Sequence, residues 1–457
     1  MAHAASSKSP QFSSRFAFIF AAVGAAVGLG NVWKFPYAAG ENGGAAFVAV
    51  YLIGLVLVAA PIFVAEVVIG RRGAASPPEA LRRQAVEHGK SKGWRIPGLF
   101  GLLAGLFVMS FYSVIAGWTL DYISFGARGM FSSFTAETAS QHFDDLKASV
   151  PRLLFWQGLF ILATLGIVAM GVKKGIERAV TVMTPALGVL LILLVIYALA
   201  TGDAGRAIEY LFRPDFSKLT PDMALAAVGQ AFFTLSVGIG GVMMYGAYLP
   251  KGASIFRASG MVVAADTAVA LLAGLAVFPI VFANGLDPSG GPGLVFVTLP
   301  LAFSTMPGGD ILGTLFFFFL FIAALTSAIA LYEPVAAWLA ERGISRIKGT
   351  VIAAFGSWLL GLLNIFSFNL WKDFSPLGFL PGLEGMTFFG LITNGLDKLI
   401  LPIGALIISW FAGRLLARKA VMAELGVEGG LLFRFWIFSL RWITPVAVAI
   451  LFLVNLI

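Results

Sequence analysis

The sequence predicts an all-α polytopic membrane protein of about 11 transmembrane helices, built as two inverted five-helix repeats with helices 1 and 6 broken at mid-membrane. Three observations predict it. Of the 457 residues, 59% are hydrophobic and 12% charged, and the mean hydropathy is +0.92, which leaves too little polar surface to cover a water-soluble protein. Apolar segments of about 20 residues, the length that crosses a bilayer as a helix, recur along the whole chain. Glycine-rich, polar interruptions fall inside the first and the sixth of these segments.

Composition also excludes several classes. The alternating ten-residue segments of a transmembrane barrel are missing. With no cysteine there are no disulfides and no thiolate metal sites. His3, His88 and His142 all lie in polar segments, so a histidine-based metal or proton site inside the membrane is not expected. The net charge of +8 is accounted for by loops on one side of a lipid bilayer, not by nucleic acid. No nucleophile–base pair or metal set suggests an enzyme.

Apolar patterning places helices near 15–40, 44–70, 96–128, 153–170, 176–200, 224–249, 255–285, 310–340, 349–366, 385–413 and 436–456, here numbered spans 1 to 11. The chain divides into an N-terminal segment (1–14), a first repeat (15–200), a loop (201–223), a second repeat (224–413), and a final loop with span 11 (414–457). Residues 1–14 are polar and lack the layout of a cleavable signal peptide, so span 1 is expected to be retained.

Positive charge sets the orientation. Arg71, Arg72, Arg82, Arg83, Lys90, Lys92 and Arg95 come after span 2; Lys173, Lys174 and Arg178 after span 4; Arg342, Arg346 and Lys348 after span 8; Arg414, Arg418, Lys419 and Arg434 after span 10. All of these fall on one side if the N-terminus is cytoplasmic, in a bacterial inner membrane, and the odd count puts Ile457 outside. The opposite loops, 129–152 and 201–222, are mixed or acidic, and 286–309 carries neither Lys nor Arg. This last segment is expected to fold back toward the centre, although its composition equally suits an exposed linker.

The interruptions carry the chemistry. Gly24 to Pro36 reads Gly-Ala-Ala-Val-Gly-Leu-Gly-Asn-Val-Trp-Lys-Phe-Pro, so Gly28 and Gly30 weaken the helix where Asn31 brings an amide to membrane depth. Each glycine costs a helix interior about 1 kcal/mol against alanine. Unwound backbone at that depth is tolerated where it is buried in protein or lines a cavity. Its freed N–H groups suit an anion and its freed carbonyls a cation. Small residues here would also suit a close helix–helix contact. Span 6 repeats the pattern in Gly229 to Gly241, which holds Gln230, Thr234 and Ser236 together with Gly238 and Gly240. Span 8 adds Thr326 and Ser327 in an apolar run, whose hydroxyls would ordinarily bond carbonyls one turn back. Beside two broken helices they suit a hard cation with oxygen ligands.

These motifs resemble the neurotransmitter:sodium symporter family. Ala26-Val27-Gly28-Leu29-Gly30-Asn31-Val32-Trp33-Lys34-Phe35-Pro36 with Glu41-Asn42-Gly43-Gly44, Gly229-Gln230-Ala231-Phe232-Phe233-Thr234-Leu235-Ser236, and Ala324-Leu325-Thr326-Ser327-Ala328-Ile329-Ala330 carry the resemblance, which covers spans 1 to 10. The resemblance implies sodium-coupled uptake of an amino acid by alternating access, with two Na+ ions carried. The first sodium would take the Ala26 carbonyl, Asn31, Thr234 and Asp266, completed by the substrate carboxylate. The second would take carbonyls of Gly24, Val27 and Ala323 with the hydroxyls of Thr326 and Ser327. The substrate carboxylate would meet Leu29, Gly30 and Tyr112, and its ammonium Ala26, Phe233 and Thr234, with Ser236 nearby. Its side chain would face Ala25, Val108, Phe233, Ile239, Ser327 and Leu331. No charge points there, which favours a neutral, hydrophobic L-amino acid, aliphatic or aromatic.

The same resemblance implies gates. Lys34 stands where relatives have an outer-gate arginine; the expected acid falls at Thr393, with Asp397 one turn on as a substitute. Phe233 would close over the substrate. Glu341 fits the acidic half of the inner gate, while the usual N-terminal arginine and tryptophan fall at Ser9 and Phe12, with Lys8 as a stand-in. Gly175 and Pro185 match a spacing that lets span 5 unwind, and Glu66 is expected to bond the break in span 1. In the gap-free register from Thr234, Asp266 supplies a fixed acid where chloride-dependent relatives have asparagine, so chloride independence is expected. The rival reading is a sodium-independent or proton-coupled exchanger of the same architecture, which would lack the Asn31, Thr326 and Ser327 oxygens.

Overall fold

The computed structural model describes residues 11–289 and 293–456, and among them every regular element is helical. Nine helices are long and apolar enough to cross a membrane, running from Ala45–Gly73 to Leu431–Leu453. Arg15–Ala26 and Gly30–Glu41, bent by 47°, form span 1. Pro221–Thr234 and Gly241–Tyr248 form the interrupted span 6. Nine continuous spans and two broken ones give the eleven expected among the described residues.

The ends of the spans move by a few residues, and caps explain where. Span 6 starts at Pro221, because the Thr220 hydroxyl accepts from the Met223 amide and proline suits the first turn. Span 9 starts at Arg346 after Ser345, and span 10 at Phe388 after Thr387, both capped in the same way. Hydropathy sees only the apolar body of a helix, so polar capping turns fall outside it.

Packing puts the broken spans at the centre. The most extensive contact joins Lys92–Gly126 (span 3) to Gly309–Ala340 (span 8), and the next joins Ala45–Gly73 (span 2) to Gly241–Tyr248. Span 8 is the most enclosed of the long helices, and it carries Thr326 and Ser327 buried. The loop segments between spans hold helices of their own, Ala136–Ala148 and Ala204–Phe212.

In segment 286–309, residues 290–292 lie outside the described residues, and the stretch from Leu294 to Phe303 packs into the protein, while Asp287, Ser289, Thr305 and Pro307 are exposed. Leu294, Val295 and Phe296 are buried, and the Phe296 carbonyl accepts from Tyr122 Oη at 2.5 Å. On the near side, the Pro288 carbonyl rests directly on Gly40, where a side chain would have no room.

One correction concerns Glu66. It is fully buried, but it braces span 6, not span 1: its carboxylate accepts from the Gly238 amide at 2.6 Å and the Met243 amide at 3.2 Å. The contact between span 2 and Gly241–Tyr248 brings it there. Nothing in the residues around Glu66 distinguishes one break from the other as its partner.

Candidate functional site

The first half of span 1 stops at Val27, which turns to an extended conformation (φ −74°, ψ 105°). Beyond that turn the chain needs glycine for space: a Cβ on Gly28 would collide with the Ser327 hydroxyl and lie 2.6 Å from Tyr112 Oη. A Cβ on Gly30 would lie 3.0 Å from the Phe233 ring. In span 6 the break runs from Leu235 to Gly240; Ser236 takes a left-handed conformation at φ 51°, and Gly238 and Gly240 do so at 88° and 83°. A non-glycine residue held there is a strained position that the surrounding fold must impose.

Two clusters of oxygen gather on these breaks. In the first, Asn31 Nδ2 donates to Asp266 Oδ1 at 2.7 Å and to Thr234 Oγ1 at 2.9 Å, and the Thr234 hydroxyl donates to Asp266 Oδ2 at 2.9 Å. Asn31 Oδ1 in turn accepts from the Gly28 amide at 3.1 Å, which fixes the break itself. All three side chains are at most 1% exposed, so a carboxylate from span 7 faces the centre with only neutral dipoles beside it. Gln230 Oε1 is buried on the same helix with no hydrogen-bond partner, while Gln230 Nε2 holds the Gly30 carbonyl at 2.8 Å.

The second cluster is uncharged. The Ser327 hydroxyl donates to the Gly24 carbonyl at 3.1 Å and the Val27 carbonyl at 3.2 Å, joining span 8 to the first half of span 1. Thr326 Oγ1 bonds back to the Ile322 and Ala323 carbonyls at 3.2 and 3.0 Å. Five oxygen-bearing residues, Gly24, Val27, Ala323, Thr326 and Ser327, thus share one locality, and a donor set made wholly of oxygen fits a hard alkali cation. Thr184 in span 5 closes its far side by donating to the Phe20 carbonyl at 3.0 Å.

Between the clusters lies a mainly apolar cavity. Ala25, Ala26, Gly30, Val108, Tyr112, Phe233, Ser236, Ile239, Ser327 and Leu331 line it, as the sequence led one to expect. Leu29 and Thr234 stand just behind: the Leu29 amide donates to Tyr112 Oη at 3.2 Å, and Thr234 belongs to the first cluster. Leu401 of span 10, Val242 and Ala330 also line the cavity and were missed. Leu401 sits in an apolar run with nothing to set it apart.

At the outer side, Lys34 Nζ meets Asp397 Oδ2 at 2.5 Å and lies 4.0 Å from the centre of the Phe233 ring. The substitute acid therefore does pair, and Thr393 instead bonds back to Phe389. At the inner side, Glu341 is held by Ser76, whose amide and hydroxyl donate to it at 2.7 and 2.5 Å. Lys8 and Ser9 lie outside the described residues. Phe12 is a buried plug, with its amide on the Tyr248 carbonyl at 3.1 Å and its ring 5.8 Å from those of both Tyr245 and Tyr248. Sequence reasoning missed a further buried group behind it: Glu333 accepts from Tyr248 Oη and from Arg346. An acid inside span 8 was the available signal. Gly175 lies in a close approach to the Ile167 carbonyl, and Pro185 sits inside a continuous helix, Arg178–Thr201.

A family profile described as the sodium:neurotransmitter symporter family matches residues 9–143 and 152–457. The chain belongs to that family. It is 37% identical over 464 residues to an uncharacterized sodium-dependent transporter of Bacillus subtilis, covering 98% of each chain. A sodium-dependent serotonin transporter of Drosophila melanogaster is 25% identical over 495 residues, covering 96% of this chain and 75% of the relative. Among solved structures, MhsT in complex with L-phenylalanine matches with a TM-score of 0.89 and 42% identity, covering 97% of this chain and 99% of that one. As a member of the sodium:neurotransmitter symporter family, the chain is a multi-pass membrane transporter with sodium as the coupling ion.

Proposed function

We propose that this symporter couples two Na+ ions to the uptake of one neutral, hydrophobic L-amino acid, without chloride. One observation carries the reading: an apolar cavity with no charged lining, walled by the breaks of spans 1 and 6, adjoins a carboxylate-bearing oxygen cluster on spans 1, 6 and 7 and a neutral one on spans 1 and 8. A zwitterion fits such a place by its shared groups. Its carboxylate finds the Leu29–Gly30 amides and Tyr112 Oη, its ammonium the carbonyls of Ala26, Phe233 and Thr234, and its apolar side chain Val108, Ile239 and Leu331. Ala26, Asn31, Thr234 and Asp266 would hold the first ion beside that carboxylate; the second cluster would hold the other.

Asp266 supplies a permanent negative charge where two cations would otherwise sit uncompensated in low dielectric, so no mobile anion is needed. The relative solved with L-phenylalanine supports the substrate class. Uptake would proceed by alternating access, with Lys34, Asp397 and Phe233 closing outside and Phe12, Glu341 and the Gly175–Pro185 segment inside. The positive loops support a cytoplasmic N-terminus in a bacterial inner membrane. The test is uptake into proteoliposomes of L-phenylalanine, L-leucine, L-glutamate and L-lysine, under a sodium gradient and without one. Sodium-driven uptake of the first two is expected; sodium-independent exchange would overturn the reading.

A further inference from the structure

Two cavities flank the Lys34–Asp397 pair, and their linings differ in kind. One, of about 400 Å³, is lined by Trp33, Phe111, Trp118, Phe143, Phe368 and Phe389 and leads to Phe233. The other, of about 480 Å³, is lined by Glu41, Asn42, Asp222, Gly229, Gln230 and Lys398. Lys34, Tyr37, Asn394 and Asp397 border both and form the wall between them.

The second cavity has a built floor. Asp222, Leu225, Ala226, Gly229 and Gln230 fall on one stripe of Pro221–Thr234 by their three- and four-residue spacing, and all of them line it. Asp222 and Glu41 stand at its exposed end and Gln230, 1% exposed, at its buried end. Gln230 Oε1 has no partner, while its Nε2 is fixed on the Gly30 carbonyl at 2.8 Å, so the amide presents its oxygen rather than its nitrogen. Thr234 lies four residues beyond Gln230, about 6 Å along the helix, and it donates to Asp266 in the first oxygen cluster. A run of oxygen thus leads inward from two surface carboxylates, through an unpaired amide oxygen, to the Asn31–Thr234–Asp266 group. The facing positive charges are Lys34, already paired with Asp397, and Lys398.

We propose that this cavity is an entry site for a monovalent cation, so that sodium and substrate reach the centre through separate portals. The proposal rests on the sodium-coupled reading above. Glu41 and Asp222 raise the local cation concentration, Gln230 Oε1 replaces part of the ion's hydration shell, and Asn31 and Thr234 receive it. The aromatic cavity is left to the substrate.

The test is the binding of radiolabelled sodium to the purified full-length protein, read as association rate and apparent affinity at low and high concentrations of choline chloride. Glu41→Gln with Asp222→Asn should slow association and weaken apparent affinity by about two- to fivefold at low ionic strength, with the difference fading at high ionic strength. Lys398→Gln should shift both in the opposite direction. Glu137→Gln, which removes an exposed carboxylate on Ala136–Ala148 outside the cavity, should leave them unchanged. Should the double variant fold poorly, Asp222→Asn alone and Lys398→Gln still give opposed shifts. Unchanged sodium association in the cavity variants, or an equal shift in Glu137→Gln, overturns the separate portal. Absence of sodium binding in the unmodified protein overturns the sodium-coupled reading instead.

Discussion

The two oxygen clusters engage the two halves of the same broken helix, one at Asn31 and the other at Gly24 and Val27, yet one holds a carboxylate and the other none. Asp266, Asn31 and Thr234 form a charged, three-membered knot in which three hydrogen bonds join side chains from three different spans. Around Ser327 the partners are backbone carbonyls of Gly24 and Val27, and the hydroxyls of Thr326 and Ser327 are neutral. A charged cluster holds a cation tightly and keeps its geometry; a neutral one built on a helix end loses its ligands as soon as that end moves. Under the two-ion reading proposed above, the difference would suit the first to a resident role beside substrate and the second to the step that releases an ion.

The comparison can be broken most forcefully at the neutral cluster. Thr326→Ala with Ser327→Ala removes both hydroxyls from an enclosed stretch of span 8 without adding charge. Each lost ligand is expected to weaken sodium-dependent substrate binding by about tenfold, the equivalent of ~1.4 kcal/mol, and uptake should collapse. Sodium dependence like that of the unmodified protein would remove the second ion from this cluster.

Next comes the charged cluster. Asp266→Asn should reduce uptake by about tenfold at low chloride and recover part of it as chloride is raised, since a mobile anion could then supply the missing charge. The unmodified protein should be indifferent to exchanging chloride for gluconate. A fall in its uptake on that exchange would contradict the fixed-charge account.

Release sharpens the contrast. Pro185 lies one residue from Thr184, whose hydroxyl ties span 5 to the Phe20 carbonyl beside the neutral cluster. Proline withholds a helix hydrogen bond there, so Pro185→Ala should stiffen the segment and slow inward sodium release by about two- to fivefold, with outward-facing binding little changed. Equal sodium efflux from loaded vesicles would rule that out. The smallest effect belongs to the outer pair: Asp397→Asn should speed substrate dissociation by about twofold, because an ion pair still partly open to solvent contributes about 0.2–1 kcal/mol. Dissociation measured by isotope dilution checks it.

How much of the site was legible in the sequence depended on the range of the interactions. Gly28, Gly30, Asn31, Thr326 and Ser327 were legible because an oddity at membrane depth is a local signal. The pairing of Lys34 with Asp397 spans 363 positions and was readable only as a one-turn displacement from Thr393. Glu66 was visible as an intramembrane acid, but its choice of Gly238 and Met243 depends on how span 2 lies against span 6. Leu401 gave no sign at all, since an apolar residue in an apolar run is the commonest thing in such a chain. At Gly175 the structure adds a packing reason to the sequence signal, a close approach of its bare α-carbon to the Ile167 carbonyl.

Glu66 has a mechanical consequence. One carboxylate grips the Gly238 amide inside the gap in span 6 and the Met243 amide on the helix beyond it, and each hydrogen bond to a carboxylate contributes about 1.5–3 kcal/mol. Span 2, the gap in span 6 and the second half of span 6 are therefore riveted into a single plate. The first half of span 1 is tied elsewhere: to the Ser327 and Thr184 hydroxyls, to the Tyr248 carbonyl through the Phe12 amide, and to the Glu177 carboxylate through the Ser13 amide and hydroxyl. Of these ties only the Phe12–Tyr248 bond reaches the plate, so an inward opening in which span 1 swings away from span 6 would have to break that bond, while the Glu66 bonds could stay whole.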